Sequence, residues 1–241
     1  MNIIAFAGQA RSGKTTMAHA FARTALEQGM TPVILSFAGP IKEVAAHEGL
    51  TKDSTPEQYR LFCQDIGKQM RAEDPDYWVK KFSEQLEVYA KKDAVNLERS
   101  LQSDDSYSEI LIIIDDLRYE NEFNLIRRLQ GSIVLVVRDR LPESHADWRS
   151  HESEEFANYW TTAPLEDVED MFDTAILNDT EDPTQERLDD MAHMLVQQLT
   201  SDIPEDFSSG TSSRDDVPED LRELLELMRR LRRLFEEDDN E

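Results

Sequence analysis

An apolar run that leads directly into a loop of glycine and lysine is the feature that most constrains this chain. Residues 3–7 read IIAFA and residues 8–15 read GQARSGKT, which fits the pattern G-x-x-x-x-G-K-[ST] between a strand and a helix. Gly8 and Gly13 permit backbone angles and close approaches that a Cβ would block, so that successive N–H groups can surround an anion. Lys14 can reach the β- and γ-phosphates, and the Thr15 hydroxyl can bind Mg²⁺. The segment predicts a nucleoside triphosphate site, formed by Gly8, Ser12, Gly13, Lys14, Thr15 and Thr16.

Apolar runs alternate with helical patterns over the first 200 residues. Strands are predicted at about 2–7, 32–35, 110–114, 132–137 and 174–177, and helices at about 14–28, 41–47, 56–71, 74–99, 117–130 and 183–199. The continuous apolar run 110–114 is typical of a strand buried on both faces of a parallel sheet. This order predicts an α/β fold, a doubly wound parallel sheet with right-handed crossovers. Its ligands are expected beyond the carboxyl ends of the strands.

Charge and composition exclude several classes of protein. The 241 residues carry a formal charge of −25, and 19 acidic against 7 basic side chains fall in residues 181–241. Such a field repels phosphate backbones, so duplex nucleic acid is not an expected partner. No run is long enough for a membrane span, and the immediate first strand leaves no room for a signal peptide. The single cysteine, Cys63, fits a reducing compartment, and we expect a cytoplasmic protein.

The composition changes after residue 200. Residues 201–216 are rich in Ser, Gly, Asp and Pro and predict a flexible linker between a catalytic domain at 1–200 and a helix at 217–237. Apolar residues in the last segment follow a 3-4-3-4 spacing, and four arginines lie near its end. The helix is expected either to mediate oligomerisation or docking, or to fold back on its own domain. An acidic tail occupies 238–241.

A pair of carboxylates follows the run 110–114. Asp115 and Asp116 would lie at the end of a strand beside the phosphate-binding loop, where a Mg²⁺–nucleotide site needs an acidic residue. We expect Asp115, with Thr15, to address the metal and Asp116 to contact a second substrate. Which of the two carboxylates serves the metal stays open at this point.

The segment that begins at Asp116, DLRYENE, resembles the deoxynucleoside monophosphate kinases of phages and prokaryotes. Further pieces are similar and occur in the same order over residues 1–200. They are SFAGPIKE at 36–43, QDIGKQMR at 64–71, DPDYW at 74–78, Arg138, HESE at 151–154 and ILN at 176–178. The chain departs from the family at Gly39, where an acidic residue more often precedes the proline, and the segment after residue 200 has no counterpart.

The resemblance implies a P-loop kinase fold with a mobile lid and transfer of the γ-phosphoryl group of ATP, with Mg²⁺, to a deoxynucleoside 5′-monophosphate. Arg71 and Arg118 would bind the acceptor phosphate, since arginine presents fork-shaped donors. Arg138, with Arg140, would belong to a polar lid at about 138–160 that also contains His145 and His151. The implied catalytic residues are Lys14, Arg71, Arg118 and Arg138; Arg138 and Asn178 would also contact ATP; and the acceptor site would comprise Ser36, Phe37, Lys42, Arg71, Trp78, Asp116 and Arg118.

Other functions share the loop. A GTPase needs an Asn-Lys-x-Asp guanine reader, which this sequence does not contain. A kinase acting on a nucleoside or a coenzyme precursor would need a base to deprotonate a hydroxyl, and Asp116 could serve. A nucleotide-dependent assembly protein would depend on the helix at 217–237.

Overall fold

A computed structural model describes residues 1–102, 107–138, 155–162, 171–178 and 185–200. The strands are β1 (Asn2–Ala7), β2 (Thr31–Leu35), β3 (Ile110–Leu117), β4 (Ser132–Val137) and β5 (Thr174–Leu177). The helices are α1 (Lys14–Glu27), α2 (Gly39–His47), α3 (Pro56–Glu73), α4 (Tyr77–Gln102), α5 (Glu120–Arg128), α6 (Glu155–Thr162) and α7 (Gln185–Thr200). The predicted linker, the helix at 217–237, the acidic tail and the lid residues Arg140, His145 and His151 lie outside the described residues.

The five strands form one parallel sheet in the order β2-β3-β1-β4-β5. After β1 the chain crosses over β3 to β2, and after β3 it crosses to β4 on the other side of β1. The chain therefore leaves neighbouring strands in opposite directions, which opens a crevice at their carboxyl ends. The predicted α/β doubly wound sheet is confirmed.

Helices cover both faces of the sheet. On one face, α1 and α7 bury Met17, Phe21 and Leu195 against Phe6 and alternate residues of the central strands. On the other face, α4, α5 and α6 pack against residues of opposite parity in the same strands, including Ile112 and Ile114. Because both faces are covered, the central strands are continuously apolar, as the sequence of β3 indicates.

The structure corrects several predicted boundaries. The polar stretch predicted at 138–160 contains α6, whose Ala157 and Trp160 are buried in the core; Trp160 packs against Phe156 of the same helix and against Phe123 and Phe172, which lie outside it. Helix α4 begins at Tyr77 rather than at 74, because Asp74 caps the end of α3 in an extended conformation.

The strand predicted to end at Ile114 continues to Leu117, so the acidic pair lies within β3 and not after it. Ala5 pairs with Ile114 but Ala7 pairs with Leu117, which places one extra residue on β3 between these two pairs. This is a β-bulge, a feature that redirects side chains at the ends of strands.

Among the described residues, no helix combines the length and the apolar character needed to cross a bilayer.

Candidate nucleotide and acceptor site

The phosphate-binding loop connects β1 to α1 at the crevice. Gly13 precedes α1 with a φ of 103°, and α1 has neither a side-chain cap nor an acidic residue in its first turn. The first N–H groups of α1 therefore have no capping side chain. They lie at the positive end of the helix dipole, which favours an anion. Gly8 adopts a φ of 137°, and a Cβ there would overlap the carbonyl oxygen of Val136 on β4. The two glycines are therefore required by the backbone path and by the close approach of a neighbouring strand.

Lys14 lies folded against its own loop. Its Nζ donates hydrogen bonds of 2.7 Å to the carbonyl oxygens of Gly8 and of Gln9, and the residue is 5% exposed. The ammonium therefore lies within the loop that would surround the phosphates. Thr15 and Thr16, in the first turn of α1, are exposed and accessible to a ligand.

Asn178 closes the loop from the end of β5. Its Nδ2 donates to the carbonyl oxygen of Ser12 at 2.8 Å, and its backbone N–H donates to the carbonyl of Val137 at 2.7 Å. Asn178 Oδ1 and Ser12 Oγ are both buried without a hydrogen-bond partner. In this structure the amide of Asn178 supports the backbone of the loop, and its predicted contact with adenine stays a prediction.

The bulge in β3 brings both carboxylates to the same neighbourhood. In a regular strand, consecutive side chains point to opposite faces. Here Asp115 Oδ1 lies 4.0 Å and Asp116 Oδ2 lies 3.2 Å from Nζ of Lys42. Because Ala7 at the end of β1 pairs with Leu117, the acidic pair lies on the strand next to the phosphate-binding loop. The predicted proximity of the acidic pair and the loop follows from this pairing.

Both carboxylate oxygens of Asp116 accept hydrogen bonds from α2 and from the segment that links β2 to α2. Its Oδ1 accepts a hydrogen bond from the backbone N–H of Phe37 at 2.8 Å, and its Oδ2 accepts from the N–H of Ala38 and from Lys42, both at 3.2 Å. Asp115 accepts a short bond of 2.6 Å from the hydroxyl of Ser36. Ser36 is therefore hydrogen-bonded to Asp115 and Lys42 to Asp116, and the ion pair of Lys42 with both carboxylates links the predicted acceptor residues.

Arg71, near the end of α3, is held on several sides. Its Nη1 donates to the carbonyl of Gly67 at 3.3 Å, and its Nη2 lies 3.4 Å from Oε1 of Glu122. The guanidinium carbon lies 3.7 Å from the centre of the Tyr119 ring, in a cation–π contact. The Arg71 side chain is 20% exposed, so it is not fully enclosed by these contacts.

Glu122 is a buried carboxyl at the start of α5. Its Oε2 accepts from the backbone N–H groups of Arg118 and Tyr119, at 3.0 and 3.1 Å. Burial, together with the charge of Asp116, raises the pKa of Glu122 to about 7, although Arg71 and the two backbone N–H groups act in the opposite direction. Glu122 lies within the motif that resembles the kinase family, but it is not among the site residues predicted from the sequence. The available signal was a glutamate at the third position of a helix, where it can reach back to the N-terminal backbone.

The structure places two predicted aromatic residues in the core. Phe37 is 2% exposed and its ring centre lies 4.3 Å from that of Phe82, while Trp78 is 5% exposed and donates from Nε1 to the carbonyl of Gly67. Neither ring offers an open face on which an acceptor base could stack. Trp78 supports the backbone of α3 at Gly67, and the predicted contact of both residues with the acceptor stays a prediction.

The remaining predicted arginines lie on either side of the crevice. Arg138, directly after β4, approaches the carbonyl oxygen of Arg11 in the loop at 3.5 Å. Arg118 follows β3 and donates its backbone N–H to Glu122. Arg138 is thus on the side of the loop and Arg118 on the side of Arg71.

Two half-buried residues of α3 also face the acceptor group and were missed. The Tyr59 hydroxyl is hydrogen-bonded to Cys63; burial, Cys63 and the charge of Asp116 raise the pKa of Tyr59 to about 12. The hydroxyl therefore remains a protonated donor at neutral pH. Because Tyr59 and Asp116 are 57 positions apart, the sequence offers no local signal for this proximity.

A magnesium ion fits the donor types present. Hydroxyl and carboxylate oxygens are suitable ligands, and Mg²⁺ commonly uses one or two protein ligands with waters and substrate phosphates. Thr15 and Asp115 would supply them. The described residues contain no cluster of three or more His, Cys, Asp or Glu arranged to hold a metal by themselves.

The fold and the loop together have the arrangement expected of a P-loop nucleotide-binding protein. No profile of a known protein family matches the sequence, and no curated protein matches it.

Several solved structures share the general architecture. Shikimate kinase from Bacteroides thetaiotaomicron is 15% identical with a TM-score of 0.40, and the match covers 82% of this chain and 98% of that one. Shikimate kinase from Aquifex aeolicus is 14% identical with a TM-score of 0.31, over 82% and 98% of the two chains. Shikimate kinase from Acinetobacter baumannii, in complex with shikimate, is 11% identical with a TM-score of 0.36, over 83% and 94%. Likeness at this level does not assign a family, an activity or a substrate.

Proposed function

We propose that this protein transfers the γ-phosphoryl group of ATP to a deoxynucleoside 5′-monophosphate. The observation that carries the proposal is the pairing of β1 with β3. It sets a phosphate-binding loop beside a bulged acidic pair, with a restrained arginine on the neighbouring helix. Phosphoryl transfer depends mainly on positioning two substrates and neutralising charge, and this arrangement offers groups for both tasks.

On the donor side, the loop backbone and Lys14 would bind the phosphates. Lys14 would exchange its two loop carbonyl partners for phosphate oxygens, a short movement for a side chain already within the loop. Arg138 would add positive charge from the end of β4. When bound, Mg²⁺ would neutralise charge on the β- and γ-phosphates, with Thr15 and Asp115 as its protein ligands.

On the acceptor side, the state of Asp116 favours a phosphate over a hydroxyl as the nucleophile. Both of its oxygens accept hydrogen bonds from the chain itself, which leaves it poorly suited to remove a proton from a hydroxyl. A monophosphate oxygen is already ionised and needs no base. It needs cationic groups, which Arg71 and Arg118 would supply.

A coupled assay of ADP release across a panel of acceptors tests the proposal. The panel contains the four common deoxynucleoside monophosphates, the four ribonucleoside monophosphates, and two kinds of hydroxyl acceptor, deoxynucleosides and shikimate. We expect at least one deoxynucleoside monophosphate to raise ADP release about 10-fold or more above hydrolysis of ATP alone. Stimulation by hydroxyl acceptors only would point to the other kinase class, and slow hydrolysis without stimulation by any acceptor would refute both.

A further inference from the structure

The Arg71 guanidinium is restrained on three sides by contacts within the chain. Gly67, four residues earlier on α3, accepts from Nη1; Glu122 of α5 faces Nη2; and the ring of Tyr119 lies against its flat face. A free arginine would have to lose rotational freedom when it binds an anion. Here that cost has largely been met during folding.

Glu122, one of the three residues that restrain Arg71, is itself held in place. Glu122 is 2% exposed, and its other oxygen accepts from two consecutive backbone N–H groups at the junction of β3 and α5. These hydrogen bonds hold the Glu122 carboxyl against the backbone segment that follows the acidic pair of β3. The position of Arg71 is therefore set relative to Asp116, although the two residues belong to different elements.

We infer that Glu122 and Tyr119 are positioning residues that hold Arg71 as a pre-formed clamp for the acceptor phosphate. This inference rests on the proposed function and specifies how its acceptor site recognises a phosphomonoester. Glu122 sets the direction of the guanidinium fork, and Tyr119 sets its plane. A planar cation that is both stacked and directed cannot be replaced by the point charge of lysine.

The test compares Glu122→Gln with the wild-type chain in the ADP-release assay, using the deoxynucleoside monophosphate with the highest kcat/KM. Gln can still accept from the two backbone N–H groups through its oxygen, but its NH₂ then faces Arg71 and cannot accept from it. We expect the KM for the acceptor to rise about 10-fold, while the KM for ATP and kcat change by less than about 3-fold. Glu120→Gln, an exposed neighbour on α5, is the matched control and should leave all three constants unchanged.

Substitutions at the other two positions separate positioning from a general loss of structure. Arg71→Lys keeps the charge, yet it should raise the acceptor KM at least as much as Glu122→Gln. Tyr119→Leu removes the ring and should raise the acceptor KM, whereas Tyr119→Phe keeps the ring and should raise it less. Unchanged acceptor KM values in Glu122→Gln and Tyr119→Leu would overturn the inference. So would equal losses for both substrates, which would indicate a structural role only.

A binding measurement keeps the inference testable if the proposed function fails. If no acceptor is phosphorylated by the wild-type chain, binding of inorganic phosphate is measured by calorimetry in the presence of a non-hydrolysable ATP analogue. In that case the kinase proposal is wrong, and weaker phosphate binding by Glu122→Gln than by Glu120→Gln would still support the clamp. Equal phosphate binding by the two variants, or no binding by the wild type, would overturn the clamp as well.

Discussion

At the scale of single residues, Lys14 has a structural role in its loop and a proposed chemical role. Its ammonium satisfies two carbonyl oxygens of its own loop, and the same position is where the phosphates of a nucleotide would lie. The hydrogen bonds that stabilise the loop and the charge that would act on the substrate thus come from one side chain. Substitution there should reduce both stability and activity, but to very different extents.

We expect Lys14→Ala to lower kcat by at least about 100-fold, because a positioned charge on the transferred group is lost. The free energy of unfolding should fall by only about 1–3 kcal/mol, the cost of leaving buried carbonyls without a partner. ADP release and urea unfolding measure the two effects. Lys91→Ala, an exposed lysine on α4 whose side chain is 59% exposed, is the control and should change neither value appreciably. A kcat for Lys14→Ala near that of the wild type would refute the donor site.

The raised pKa of Glu122 predicts how the free energy of unfolding depends on pH. Its pKa is raised from 4.5 to about 7 in the folded chain, so the folded state binds this proton more tightly than the unfolded state. The free energy of unfolding that this group contributes is therefore present below pH 4.5 and is lost as the pH rises towards and through 7. At about 1.4 kcal/mol per unit, the loss amounts to about 3 kcal/mol by pH 8.

Urea unfolding between pH 4.5 and 8 checks this effect. Glu122→Gln, which cannot ionise, should show a shallower decline of unfolding free energy with pH than the wild type. Glu120→Gln should retain the wild-type slope, because that side chain is exposed. Parallel curves for the wild type and Glu122→Gln would show that burial and the charge of Asp116 do not raise the pKa of Glu122.

At the scale of elements, the bulge in β3 connects three parts of the site. It places both carboxylates near Lys42, and Asp116 then fixes the turn between β2 and α2 through Phe37 and Ala38. A strand that ended at Ile114 would have left this turn without its acceptor. The extra residue in β3 therefore allows the carboxyl end of this strand to line the crevice.

We expect Asp116→Ala to lower the free energy of unfolding by about 2 kcal/mol or more, because two backbone N–H groups and one ammonium lose their acceptor. Asp116→Asn keeps one acceptor oxygen and should cost less. Hydrogen exchange at the amides of Phe37 and Ala38 should accelerate in Asp116→Ala and leave the amides of α1 unaffected. Asp65→Ala, an exposed aspartate on α3, provides the control; if it accelerated exchange at Phe37 equally, the link between β3 and the turn would be wrong.

The elements also show which features the sequence can predict. The loop, the five strands and the covered sheet follow from local signals: glycine spacing, apolar periodicity and helix punctuation. The bulge depends on how β3 pairs with β1, and the contact of Arg71 with Glu122 joins residues 51 positions apart. No local pattern encodes either. The burial of Phe37 and Trp78 was likewise settled by tertiary packing, since an aromatic residue in a motif is compatible with a core or with a site.

At the scale of the whole molecule, the described elements up to Thr200 include both halves of the crevice. The phosphate-binding loop is supported by β4 and β5, and the residues proposed to bind the acceptor are supported by β2, β3 and the helices α3 and α5. The segment 201–241 is predicted from sequence as a linker, a helix and an acidic tail, and its role is a separate question from the chemistry.

Truncation after Thr200 distinguishes a metabolic kinase from a nucleotide-dependent assembly protein. We expect the shortened chain to retain kcat and both KM values within about 2-fold, because the residues that would bind and position the substrates remain. Removal of 201–241 also removes a strongly acidic segment, so a modest rise in affinity for anionic substrates at low salt, lost at high salt, would be consistent with the kinase. ADP release and light scattering, measured on both chains with and without nucleotide, separate the alternatives. An assembly protein would instead lose a nucleotide-dependent change in mass on truncation, and loss of turnover with an intact fold would show that the segment takes part in the reaction.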